Sequence, residues 1–252
     1  MVSLEYDKAM YERAVFNIPF NFIEVKQKKT SEFFVEDTKE VSEIVWLDYD
    51  GGLGPDIISD IATLGTRLKL NDFFFVTVSG AAPHFVAAMK DTERLAELKE
   101  RLGPVAGGLT LEDVERANFA DAVHKTLVAA FRNAFAMRQE GTFELLLQVE
   151  YSDSMPMVTV GGALLPQGTA VEFYSRMSKT LPFLPRKQEQ LYKIRSFHLT
   201  ERERTLFDRA ATSSRRRNSD RTTLLRLGFK DAELDAYSEL IRYVPRYVET
   251  AV

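Results

Sequence analysis

Four apolar residues, Ile44-Val45-Trp46-Leu47, run directly into Asp48-Tyr49-Asp50-Gly51-Gly52. An apolar run that stops at acids and glycines reads as a buried parallel strand that ends in a polar turn. Ligands of open α/β sheets sit at the carboxyl ends of such strands. Asp48 and Asp50 therefore mark a place where chemistry can be done, and more than one chemistry fits the letters. Glu5 ends the shorter run Val2-Ser3-Leu4 in the same way. His84 follows a third apolar run, Phe73 to Val78, after Gly80-Ala81-Ala82-Pro83. Plainer readings stand beside these. Asp50 suits a turn, Trp46 and Phe73 to Phe75 suit a core, and His84 suits a partly exposed loop. The three histidines, His84, His124 and His198, have no metal-ligand spacing, so no metal site is expected.

The elements that would position these residues follow from periodicity. Val2 to Leu4 reads as a strand, and a helix carrying Met10, Ala14 and Val15 follows until Asn17-Ile18-Pro19. Phe22 to Val25 reads as a second strand and Thr30 to Phe34 as a helical turn. After Ile44 to Tyr49, Pro55 suits the first turn of a helix whose stripe is Ile57, Ile58, Ile61, Leu64 and Leu68. Strands alternating with helices argue for a parallel sheet. Lys90 to Leu102 is a charged helix, Thr110 and Asp113 can cap the next one, and apolar residues keep helical spacing from Val114 to Met137. Phe143 to Val149 and Met157 to Val160 flank Ser152-Asp153-Ser154 as an antiparallel hairpin. Pro182 and Pro185 suggest a linker, Thr200 and Glu203 a second capping box, and Ser213 to Ser219 a basic loop before two short helices that end at Tyr243-Val244-Pro245.

Composition narrows the function. The chain has 252 residues, enough for one large domain and an appendage. Net charge is −4, which gives no basic field for nucleic acid, and the Arg215-Arg216-Arg217 run reads as a solvated loop. Cysteine is absent, so disulfides, thiolate metal sites and cysteine nucleophiles are excluded. The first residues carry acids at once and do not read as a signal peptide. No stretch approaches the length of a membrane span. A soluble, cytoplasmic protein is the expectation.

Two resemblances attach to the acids. Asp48-Tyr49-Asp50-Gly51 after an apolar strand resembles the nucleophile strand of haloacid-dehalogenase-like phosphatases. That likeness implies Asp48 attacking phosphorus, Asp50 protonating the leaving group and Mg²⁺ beside both. The phosphatase pattern has Thr or Val where Gly52 stands, and it opens its sheet rather than following two strands.

More of the chain resembles class I, Rossmann-like S-adenosylmethionine-dependent methyltransferases. Val2 to Glu5 is similar to their second strand, whose terminal acid holds the cofactor's ribose hydroxyls. Ile44 to Asp50 is similar to the fourth strand, Phe73 to Val78 to the fifth, and the hairpin to the sixth and seventh. Trp46-Leu47-Asp48-Tyr49-Asp50-Gly51, Leu199 to Glu203 and Tyr237 to Pro245 resemble a bacterial O-methyltransferase group along nearly the full length. The resemblance implies S-adenosylmethionine as cofactor, with Glu5, Asp48 and Tyr49 toward it, Asp48 as the catalytic acid, and Asp50 and His84 on the substrate rim. It implies a mostly parallel α/β sheet with a terminal antiparallel hairpin over 1–166. A helical insertion falls at about 90–140, and 167–252 form a helical C-terminal region. The family's first strand and glycine-rich loop have no counterpart here, so the expectation is weak cofactor binding by these residues alone. The same fold would also serve as a non-catalytic scaffold or subunit, with a protein partner or second copy covering an exposed sheet edge.

Overall fold

The computed structural model describes residues 1–36, 42–152, 155–177, 184, 191–194, 197, 199–212 and 217–241. The chain divides into two compact units, Met1–Ile194 and Arg195–Val252. The Asp153-Ser154 turn, the Pro182 and Pro185 linker, His198, Arg215-Arg216 and Tyr243 to Pro245 lie outside the described residues.

The first unit is built on a five-stranded sheet in the order β3 (Ile44–Gly52), β4 (Phe73–Ser79), β6 (Pro156–Pro166), β5 (Gly141–Ser152), β7 (Tyr192–Lys193). β3 pairs parallel with β4, and β7 parallel with β5, while β6 runs antiparallel to both its neighbours. Four of the five strands therefore point one way, which is the mostly parallel, Rossmann-like α/β arrangement that the alternation of elements predicts. β7 adds to the outer side of β5, so the hairpin lies inside the sheet. The expected boundary at 166/167 accordingly falls within the first unit.

Two helices cover one face of this sheet. α3 (Pro55–Arg67) begins with Pro55 in its first turn and buries Ile57, Ile61 and Leu64. α6 (Phe119–Phe135) buries most of its residues, and Phe131 packs 5.0 Å from Phe74 and stacks at 5.1 Å on Phe143. Gly161 and Gly162 let β6 fit closely between β4 and β5: a Cβ on Gly162 would lie 1.8 Å from the Glu144 carbonyl oxygen. α5 (Asp91–Leu102) contributes Arg94, which is fully buried and donates to the carbonyls of Val86, Met89 and Val114. On the other face α7 (Ala170–Met177) packs Phe173 and Tyr174 beside Leu146, Ala163 and Leu165.

The N-terminal segment is a separate βαβ unit. β1 (Val2–Glu5) and β2 (Glu24–Gln27) form a parallel two-stranded sheet, joined by α1 (Lys8–Phe16) and followed by α2 (Thr30–Glu36). No residue of β1, α1 or β2 is buried.

The second unit packs α8 (Glu201–Thr212), α9 (Arg217–Arg226) and α10 (Asp231–Leu240) around Phe207, Leu224, Leu234 and Tyr237. Thr200 and Glu203 close the expected capping box at the start of α8.

Several local expectations are corrected. Trp46 is not core: it is 60% exposed, because strand alternation puts it on the face of β3 opposite Tyr49, which packs on α3. Phe73 and Phe75 are only half-buried, on the same open face, while Phe74 points under α6. Asp50 lies in β3 rather than in a turn. β2 starts at Glu24, because Phe20 and Phe22 stack on each other in the preceding turn. The Thr110–Asp113 bond closes a turn, and the long helix starts only at Phe119. Arg217 to Ser219 begin α9 instead of extending a loop.

Candidate active site at the strand ends

Parallel pairing gathers the acids at one edge. The register sets Asp48 beside Thr77 and Gly52 beside Ser79, with an irregularity between Asp48 and Gly52. The carboxyl ends of β3 and β4 thus lie together, as ligand sites in such sheets require. Asp48 and Asp50 are exposed, and neither side chain has a hydrogen-bond or ion-pair partner among the described residues. Glu5 closes β1 opposite Gln27, half-buried, and its carboxylate is equally unpartnered.

This freedom is unlike the state of several other acids. Asp72 accepts from the backbone N–H groups of Glu43 and Lys69, and so pins the turn before β4. Asp113 accepts from Thr110 and from the Lys125 ammonium. Burial pushes the Asp113 carboxyl up, but these bonds outweigh it and hold the group below its usual range. An acid tied in this way serves the fold. The strand-end acids make no such bonds among the described residues.

Tyr49 turns the other way. Strand alternation puts it on the face opposite Asp48, where its hydroxyl donates to Asp60 of α3 at 2.6 Å. Burial, then the Asp60 bond, push the phenol well above its ordinary range. The tyrosine therefore packs β3 onto α3. His84 starts the short helix α4 (His84–Ala87), exposed, with its ring edge-on to Phe85 at 6.0 Å. The segment leading to it is held close to β3: a Cβ on Gly52 would lie 3.0 Å from the Pro83 ring.

Sequence reasoning missed a hydroxyl chain beneath Asp48. The Trp46 indole N–H donates to Thr77 Oγ1 at 2.9 Å, and Thr77 and Thr159 share a buried 2.8 Å bond. The signal was two threonines in otherwise apolar strands, but their meeting depends on the pairing of β4 with β6. A second polar cluster sits at the carboxyl end of β5. His124 Nε2 lies 2.7 Å from Gln148 Oε1, and Lys193 bridges Asp121 and Glu150. Burial alone would lower the Lys193 ammonium, but its bonds to those two acids hold it above its usual value. Among the described residues no three His, Cys, Asp or Glu side chains are placed to hold a metal ion.

The mostly parallel α/β sheet defines a Rossmann-like protein. The family described as "Putative O-methyltransferase" matches residues 1–252, and the chain belongs to that family. No curated protein matches the chain. Among the described residues no helix is long and apolar enough to cross a membrane.

Proposed function

We propose that the chain serves S-adenosylmethionine-dependent transfer of a methyl group to an oxygen acceptor, with Glu5 and Asp48 as its working acids. The supporting observation is that Glu5 ends the parallel strand β1, that Asp48 is the last residue of β3 in regular parallel register with β4, and that neither carboxylate has a partner among the described residues. Glu5 fits a ribose, because an unpaired carboxylate accepts hydrogen bonds from two neighbouring hydroxyls. S-adenosylmethionine would supply an electrophilic methyl group. Asp48 would orient the acceptor hydroxyl and take its proton as the new C–O bond forms and the C–S bond breaks. Asp50 and His84 would line the acceptor side. The described residues offer no glycine-rich cradle after β1, where Tyr6 and Asp7 lead directly into α1.

The residues thus fit part of the cofactor, and residues 1–252 alone should bind it weakly. Calorimetry with S-adenosylmethionine tests this. Weak binding that Glu5→Gln reduces at least tenfold supports the reading. Tight binding unchanged by Glu5→Gln overturns it. A second reading, a non-catalytic subunit of the same fold, is favoured by the unpaired outer side of β3. It predicts no binding heat at all and no effect of Asp48→Asn on any activity of an assembly that contains the chain.

A further inference from the structure

Trp46 and Asp48 lie two residues apart on β3, so strand alternation gives them the same face. In the register with β4, Trp46 sits beside Phe75 and Asp48 beside Thr77. The Trp46 indole reaches past Phe75 toward the carboxyl end of the sheet and donates its N–H to Thr77 Oγ1 at 2.9 Å, so the ring leans toward Asp48. Thr77 is fully buried and shares a 2.8 Å bond with buried Thr159. An exposed ring is thereby tied to two hydroxyls of the interior. Exposed side chains ordinarily change rotamer freely, but the bond to Thr77 holds this one in place. Its one polar group is spent on that bond, which leaves the faces of the ring for a ligand. Phe75 stands beside it, with centroids 6.1 Å apart and planes tilted by 54°, so the two rings make a corner rather than a stack. Such a corner accepts a third ring, offset-stacked on one wall and edge-on to the other.

We infer that Trp46, Phe75 and Asp48 form an acceptor subsite for a phenol, with its ring in the Trp46–Phe75 corner and its hydroxyl on the Asp48 carboxylate. Thr77 is the positioning residue of this subsite. The inference rests on the methyl-transfer reading above and names the class of its acceptor. Length and acidity favour a phenol over an aliphatic alcohol. Residues two apart on a strand are about 6.7 Å apart and a short hydrogen bond takes up about 2.7 Å, which leaves roughly 4 Å, close to the length of one ring with its hydroxyl. A carboxylate is a weak base, and a phenol of pKa about 10 yields its proton to it far more readily than an aliphatic hydroxyl, whose acidity is nearer that of water at about 16. In the transfer, the phenol O–H bond breaks as its proton passes to Asp48, and an oxygen pair forms the new C–O bond. The C–S pair stays on sulfur, which goes from sulfonium to thioether. Asp48, exposed, then gives the proton to solvent.

The test reads acceptor binding with no methyl donor present. The probe is 4-fluorophenol, titrated into the 252-residue protein and followed by its fluorine resonance and by quenching of Trp46, the single tryptophan. 4-Fluoroanisole, cyclohexanol and tetramethylammonium are titrated in parallel. The expected result is saturable binding of 4-fluorophenol and weaker binding of the other three. Trp46→Ala and Asp48→Ala should each weaken it about tenfold with circular dichroism unchanged. Phe16→Ala, which removes another exposed ring, should leave it unaltered. Thr77→Val separates positioning from packing: Trp46 anisotropy should gain a fast component and phenol binding should fall, and Thr77→Ser should restore both. Binding indifferent to Trp46→Ala, or equal binding of 4-fluoroanisole, overturns the inference. Equal binding of tetramethylammonium also overturns it and identifies a cation site instead. S-adenosylmethionine binding that depends on Glu5, with no phenol binding, strikes the acceptor class alone. Phenol binding that depends on Trp46 and Asp48, with no S-adenosylmethionine heat, supports the subsite and strikes the methyl-transfer reading.

Discussion

The helix-covered side of the five-stranded sheet and the N-terminal βαβ unit use similar residues to opposite ends. In the first, Phe74, Phe131, Ile61 and Leu64 are wholly buried, and Phe135 and Phe143 stack at 4.2 Å. In the second, Phe16, Phe20 and Phe22 face solvent, and Phe16 is the most open at 88%. Phenylalanines are common to both, so composition does not separate them. What differs is whether other elements close over the strand. Among the described residues β4 has neighbours on both sides and helices on one face, whereas β1 has one neighbour and β3 has one. Buried apolar packing, and with it stability, concentrates in the covered region.

That contrast is sharpest in paired substitutions. Phe131→Ala should cost about 3–5 kcal/mol, because it removes a fully buried ring and leaves a cavity between Phe74 and Phe143. Phe16→Ala should stay within about 0.5 kcal/mol. Urea unfolding of both variants measures the difference, and a Phe16 effect near that of Phe131 would break the comparison.

Arg94→Met should cost about 3 kcal/mol, since two buried carbonyls and one part-buried carbonyl lose their donor. The same assay reads it.

Glu144, on the α7 face of β5, tests burial through pH. It is buried on β5, and burial raises its carboxyl above the ordinary value. Its proton is favoured in the folded state, so its contribution is full below about pH 4.3 and is lost as pH rises through the raised folded value. Glu144→Gln should therefore gain about 1 kcal/mol at pH 8 and nothing at pH 4. The charge of Glu144 also adds to the burial that pushes the Tyr174 phenol to about 12. Spectrophotometric titration of Tyr174 should accordingly move down in the variant.

Asp113 has the opposite sign. Its folded value is depressed, so its contribution stands above about pH 4 and is lost as pH falls through the folded value. Asp113→Asn should cost about 1 kcal/mol at pH 7 and nothing at pH 2, as unfolding curves at the two pH values will show.

Much of this was legible in the sequence. The helical stripe of α3, the apolar run of β4 and the acids that follow the apolar runs of β1 and β3 are local patterns, set by periods of 3.6 and 2. Glu5 and Asp48 could be named as candidates because a strand end is visible in the letters. The resemblance set Tyr49 toward the cofactor, but the letters do not show that α3 supplies Asp60 on the face that Tyr49 takes. Trp46 misled for a related reason: an apolar letter between apolar neighbours looks buried until one face of its strand proves uncovered. The Thr77–Thr159 bond joins residues 82 positions apart and exists only through β6.

The sequence alone determined which segments become strands and helices and where acids interrupt them, since those depend on neighbours a few residues away. It also excluded thiol chemistry by having no cysteine. The tertiary structure decided which strands are edges, which acids are tied up and which stay free. Burial and hydrogen-bond partnership are properties of pairs distant in the chain, and only the folded arrangement brings such pairs together.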